Sequence, residues 1–146
     1  MSSSPSVFNH FGHCVTDLDR SSRFYCGLFG FRETRRIQVP DAATSRLLSV
    51  PEPVGLSAAY LEKDGVTLEL LLFDRPGNPP PRRRPFNEPG LTHMSFCVDD
   101  PSATRRAAVD LGGSVIEGTD IGAAVMIADP DGQPIELLPM SYRSSL

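Results

Sequence analysis

No stretch of this chain is apolar for long enough to cross a bilayer, and its start lacks a basic segment followed by an apolar one. No membrane role is therefore expected, and no secretory leader, so the reading is of a cytoplasmic protein. Cysteine is scarce: Cys14, Cys26 and Cys97 are an odd number without a C-x-x-C pair. That excludes a disulfide framework and suits a reducing compartment. Positive charge is not in excess either. Lys and Arg number 14 against 18 Asp and Glu, for a net charge of −4, so no basic field is present to hold nucleic acid. What remains is 146 residues, 40% hydrophobic and 22% charged. Such a chain can bury a core as one ordinary domain or as two small, intimately packed modules.

The chain favours two modules, because it nearly repeats itself. His10-Phe-Gly-His-Cys-Val-Thr-Asp17 and His93-Met-Ser-Phe-Cys-Val-Asp-Asp100 both read H-x-x-x-C-V-x-D. Gly65-Val-Thr-Leu-Glu69-Leu-Leu is echoed by Gly132-Gln-Pro-Ile-Glu136-Leu-Leu. Between the copies lies a proline-rich stretch centred on Arg82-Arg83-Arg84. The expected divisions are a frayed tail over 1–6, a first module over 7–74, a linker over 75–90, a second module over 91–140 and a tail over 141–146.

Hydrophobic alternation predicts strands over 7–15, 31–39, 56–61 and 66–73. A short strand is also expected over 46–50, after a turn at 40–43. A helix capped by Asp17 or Asp19 runs to a C′ glycine at Gly30. Asp64-Gly65 signals a type I′ hairpin. The second copy repeats the order: a strand over 91–98, a helix capped by Asp99 or Asp100 with Pro101 in its first turn, then strands over 114–117, 123–128 and 133–138. Each copy thus reads strand, helix, then several strands.

Each copy opens on a histidine and closes on a glutamate. Singly, each of these four residues is most simply a packing or surface side chain. Recurring together, they form an N2O2 set suited to one divalent ion: Zn, Ni, Co, Mn or Fe(II). Four protein ligands on an octahedral ion leave two positions for substrate oxygens. Gly12, Cys14, Ser95 and Cys97 share the face of the histidines and leave room there, and the cysteines are read as buried packing residues. His13 falls on the opposite strand face and is read as structural. Phe24 and Tyr25 are read as core. Arg82, Arg83 and Arg84 are candidate clamps for an anionic substrate group.

These motifs resemble the vicinal oxygen chelate superfamily, which includes glyoxalase I, methylmalonyl-CoA epimerase, extradiol dioxygenases and the fosfomycin and bleomycin resistance proteins. The stretch from His10 to Phe24-Tyr25 is similar to that family's first strand and helix, and Leu28-Phe-Gly-Phe31 to its helix end. Gly90-Leu-Thr-His93-Met-Ser-Phe and Asp129-Pro-Asp-Gly-Gln-Pro-Ile-Glu136-Leu resemble its other two signatures. The resemblance spans about residues 7–139. It implies an α+β fold of two tandem βαβββ modules, forming a cup-shaped, pseudo-twofold mixed sheet around a metal, with His10, Glu69, His93 and Glu136 as ligands.

The order His, Glu, His, Glu is that of glyoxalase I. Extradiol dioxygenases and fosfomycin-resistance enzymes carry His at the second position, and methylmalonyl-CoA epimerases usually Gln. Glyoxalase I also carries an arginine four residues after the first His, where this chain has Cys14. The expectation is therefore a divalent-metal-dependent isomerase, epimerase or lyase. It would move a proton beside a carbonyl of a small chelated substrate, with Glu69 or Glu136 as the base. The alternatives are a lactoylglutathione lyase of the glyoxalase I type, a drug- or ligand-sequestering protein, and an Fe(II) extradiol-type dioxygenase. A homodimer is expected.

Overall fold

The computed structural model describes residues 4–75 and 77–145. Residues 1–3 of the expected N-terminal tail, Pro76 and Leu146 lie outside them. Strand β1 (Phe11–Cys14) leads into helix α1 (Leu18–Phe29). The helix begins at Asp17, whose carboxylate accepts the Arg20 N–H at 2.9 Å and so satisfies one otherwise orphaned donor. It ends at Gly30, at φ 72°, a left-handed conformation that glycine adopts without a Cβ penalty. Strands β2 (Arg32–Gln38), β3 (Leu56–Lys63) and β4 (Val66–Phe73) follow. Asp64 and Gly65 both have positive φ, as the type I′ signal predicts.

One element departs from expectation. Residues 41–48 form helix α2 (Asp41–Leu48), where a turn and a short strand were expected. Asp-Ala-Ala-Thr-Ser-Arg-Leu-Leu has no Gly or Pro, and Pro40 immediately before it is compatible with a helix start. Arg46-Leu-Leu is too short an apolar run to distinguish the two periods. The helix lies largely on the surface. Thr44 is its one buried residue, and Leu47 stays exposed.

The second copy comprises β5 (Met94–Val98), α3 (Pro101–Asp110), β6 (Ser114–Val115), β7 (Val125–Ala128) and β8 (Pro134–Pro139). Asp100 caps α3 by accepting the Ala103 N–H at 2.9 Å. Met140–Ser145, from the last residue of the expected second module into the expected C-terminal tail, forms a 3-10 helix against β5. No helix among the described residues is long and apolar enough to cross a membrane.

The two sheets have one topology. The first runs β1-β4-β3-β2 and the second β5-β8-β7-β6. In each, the opening strand lies parallel to the closing one, and the other pairings are antiparallel. The fold is α+β, with two tandem βαβββ modules in a cup-like arrangement; α2 is an addition peculiar to the first.

Alternation assigns the sheet faces. Leu68 and Leu70 of β4 and Ile135 and Leu137 of β8 are buried against α1 and α3. With Phe24, Tyr25 and Ala108 they make a single core that joins the modules. Phe24 and Tyr25 are fully buried, each worth about 2–3 kcal/mol of transfer free energy. Phe29 of α1 stacks on Phe96 of β5 at 3.9 Å between centroids.

A polar clasp adds to this apolar seam. Asp129 opens the β7–β8 turn and is 2% exposed. Its Oδ2 accepts from His13 Nε2 at 2.7 Å and from the Tyr25 hydroxyl at 2.8 Å. Its Oδ1 accepts the N–H groups of Asp131 and Gln133 at 2.9 Å each. Asp131 in turn holds Thr16 and Arg20. His13 is structural, as its strand face predicts.

Candidate metal centre

His10 and His93 stand one residue before β1 and β5, while Glu69 and Glu136 lie within β4 and β8. The pairing register makes the two arrangements equivalent. Gly12 lies opposite Glu69, and Ser95 lies opposite Glu136. Each histidine is two residues before its glutamate's register partner. An even offset keeps His and Glu on one face of the sheet, the face away from the helices.

The side chains meet accordingly. His10 Nε2 lies 2.9 Å from Glu69 Oε2, and His93 Nε2 lies 3.7 Å from Glu136 Oε2. Metal–nitrogen and metal–oxygen bonds of about 2.0–2.2 Å put adjacent ligand atoms roughly 2.9–3.4 Å apart for angles between 90° and 109°. The first pair already has that spacing and the second is slightly wider, so the donor types and their separations fit a divalent ion. All four side chains are partly open, between 13% and 34% exposed.

Each glutamate is also held by a hydroxyl. Tyr60, opposite Glu69 on β3, donates to its Oε1 at 2.5 Å. Accepting that bond, Glu69 raises the Tyr60 phenol above its ordinary value, so the hydroxyl remains a donor at neutral pH. In the second module the residue opposite Glu136 on β7 is Met126, and the hydroxyl comes instead from Ser95, at 2.7 Å. Such bonds orient a carboxylate; Tyr60 leaves Glu69 Oε2, the oxygen facing His10, to a ligand, whereas Ser95 takes the Glu136 Oε2 that faces His93. The histidines are oriented too. His10 Nδ1 meets the Asn9 side-chain oxygen, and His93 Nδ1 lies 2.9 Å from the Thr92 hydroxyl. Tyr60 carried no sequence signal, because its role depends on register across a hairpin.

The structure brings the four residues together in pairs. Among the described residues no group of three or more His, Cys, Asp or Glu side chains is placed to hold a metal. One chain therefore presents two His–Glu pairs, each a candidate half-site with one nitrogen and one oxygen donor. Two of the three linker arginines are engaged locally. Arg82 pairs with Glu88 at 2.7 Å, Arg84 donates to the Leu91 carbonyl, and Arg83 is exposed. Phe86 of the same segment packs beside His93 at 5.7 Å between centroids. Cys14 is exposed rather than buried. Partial desolvation of its sulfur raises the thiol above its ordinary value, so nothing activates it as a thiolate.

The fold recurs among solved structures. A glyoxalase family protein from Bacillus cereus superposes with a TM-score of 0.79 at 18% identity, covering 95% of this chain and 97% of that one. The trypanothione-dependent glyoxalase I of Leishmania major gives 0.67 at 21% identity, over 93% of this chain and 88% of that one. The fosfomycin resistance protein FosX of Listeria monocytogenes gives 0.62 at 17% identity, over 97% of both. At these identities the likeness concerns the fold. A search of curated proteins finds no match. The sequence profile of the Glyoxalase/Bleomycin resistance protein/Dioxygenase superfamily matches residues 7–137. With that match over nine-tenths of its length, the chain belongs to the glyoxalase/bleomycin resistance protein/dioxygenase superfamily.

Proposed function

We infer that this protein is a divalent-metal-dependent isomerase, epimerase or lyase that moves a proton beside a carbonyl of a small oxygenated substrate. The observation that carries the reading is the repeated register: both modules set a His two residues before the partner of a Glu, on the face away from the core. His10, Glu69, His93 and Glu136 would hold the ion. When bound, it would supply Lewis-acid stabilisation of negative charge on substrate oxygens. Glu69 and Glu136 are the groups that can take and return a proton. The Tyr60 and Ser95 hydroxyls steady one oxygen of each and leave the other to act. Returning the proton to the opposite face of the same carbon gives an epimer. Returning it to the neighbouring carbon gives an isomer.

A second copy of the chain completes the ligand set. Two ligands are too few for a divalent site, and one chain keeps its pairs apart. Large apolar side chains are exposed near both histidines: Phe8 beside His10, and Leu91 beside His93. A homodimer in which the His10/Glu69 face of one copy meets the His93/Glu136 face of the other would cover them and assemble N2O2.

Elemental analysis of protein purified without added metal or chelator tests this reading, together with its molar mass in solution. About one divalent ion per site, lost in His10→Ala, is expected, with proton exchange from deuterated water abolished in Glu136→Gln. Protein that takes up no Zn, Ni, Co, Mn or Fe(II) refutes it. That result would favour ligand sequestration, for which the pairwise separation of the ligands within one chain is the supporting observation.

A further inference from the structure

The edge strands β1 and β5 leave a crevice between the modules of about 600 Å³. That volume suits a small organic molecule. Its lining comes from both strand faces: inner residues such as Phe11, Phe31 and Phe96, and outer ones that include His93. The crevice therefore runs from the aromatic layer of the core towards the second half-site. Aromatic rings dominate the inner part, where Phe96 packs on Phe31 at 6.1 Å between centroids.

The charge around the crevice is opposite in sign to that of the whole chain. Lys63 and Arg143 line it against one acid, Asp64, which pairs with Lys63 at 3.3 Å. Arg143 has no ion-pair partner among the described residues and is exposed. The lining thus carries one uncompensated positive charge in a chain of net charge −4. An apolar neutral molecule would use the rings and leave that cation unpaired. A dianion would exceed it.

The geometry points to a binding site for an apolar monocarboxylate, its aryl or alkyl body among Phe11, Phe31 and Phe96 and its carboxylate on Arg143, the unpaired cation of the lining. Binding here stands on the crevice alone and needs no metal, so its failure is distinguishable from failure of the metal-centre reading.

Calorimetric titration of the full-length protein with 4-phenylbutyrate and with its neutral analogue 4-phenylbutanol tests the site, both as purified and after EDTA treatment. Saturable binding of one carboxylate per chain is expected under both conditions. The acid should bind at least about tenfold more tightly than the alcohol, the worth of one charge-assisted hydrogen bond. Arg143→Gln should bring the acid down to the affinity of the alcohol. Val66→Trp, at the exposed hairpin end of the lining, should weaken both ligands by narrowing the crevice. Both changed residues lie outside the buried core, so the variants fold, and circular dichroism checks this. Absence of saturable binding overturns the proposal. So does equal affinity for acid and alcohol, or full affinity retained in either variant.

Discussion

Replacing Asp129 by Asn tests how much the fold depends on the clasp between its modules. The change alters the volume little and leaves one oxygen to accept the Asp131 and Gln133 N–H groups. At the other position an NH2 group now faces His13 Nε2 and the Tyr25 hydroxyl, which donate to a carboxylate oxygen at 2.7 and 2.8 Å. Two bonds to a charged acceptor are lost, each worth about 1.5–3 kcal/mol. Rotation of the Tyr25 hydroxyl so that it accepts recovers part of this. The expected loss near pH 7 is roughly 2–4 kcal/mol, a large share of a typical stability of about 5–15 kcal/mol. The pH dependence gives the stricter test. Burial pushes the Asp129 carboxyl up, but the His13, backbone and Tyr25 hydrogen bonds outweigh it and hold the group below the ordinary carboxylate range. A depressed native pKa contributes stability that is present above the unfolded value, about 3.9, and lost as pH falls through the native value. The difference between wild type and Asp129→Asn should thus be constant from pH 7 to about 5 and then shrink towards pH 2.5. Urea unfolding followed by far-ultraviolet circular dichroism measures it. A loss below about 0.5 kcal/mol at pH 7, or one that stays level down to pH 2.5, would refute the account of the clasp.

Tyr60→Phe removes the hydroxyl on Glu69 while keeping its ring beside His10. Metal affinity should fall about 10- to 100-fold by competition with a chelating indicator, with little change in thermal midpoint. Phe29→Ala takes away a ring that is 7% exposed and stacked on Phe96, and should cost about 3–5 kcal/mol in urea unfolding. Gly113→Ala puts a methyl group 2.6 Å from the Ala128 carbonyl oxygen and 2.7 Å from the Phe24 ring. It should cost about 1–3 kcal/mol by the same measurement, since neither the strand nor the buried ring can yield freely.

Much of this architecture can be read from the residues, for local reasons. Asp17 and Asp100 cap their helices, Gly30 ends the first, and Asp64-Gly65 turns the hairpin; each is a short-range signal. The even offset between histidine and glutamate is also visible, because strand alternation converts sequence parity into a shared face. What escaped depends on contacts distant in sequence. Helix α2 looked like a strand because three apolar-rich residues cannot show a period. Cys14 was expected to be buried, but β1 is an edge strand whose outer face stays open. Tyr60 reaches Glu69 by cross-strand register, and the Asp129 clasp joins residues more than 100 positions apart. That the histidines and glutamates gather in two pairs rather than one set follows from how the modules pack, which repeated motifs cannot specify.

The doubling is closest at the His and Glu pairs and breaks down at the seam. Counting from the helix caps, His13 corresponds to Phe96 and Tyr25 to Ala108. Counting from the glutamates, Asp129 corresponds to Glu62. On one side of the pseudo-twofold axis, the His, Tyr and Asp form a buried and fully paired polar cluster. On the other side, Glu62 stays half exposed and paired with Arg32, Ala108 leaves space, and Phe96 seals against Phe29 instead. A hydrogen-bonded cluster requires one register, because an unpaired buried carboxylate would cost several kcal/mol. An aromatic stack tolerates small shifts. One side of the seam is therefore expected to fix how the modules sit and the other to yield. The crevice borders both sides of this seam, lined by His13 of the clasp and by Phe96 of the aromatic stack, and it reaches His93 in the second half-site.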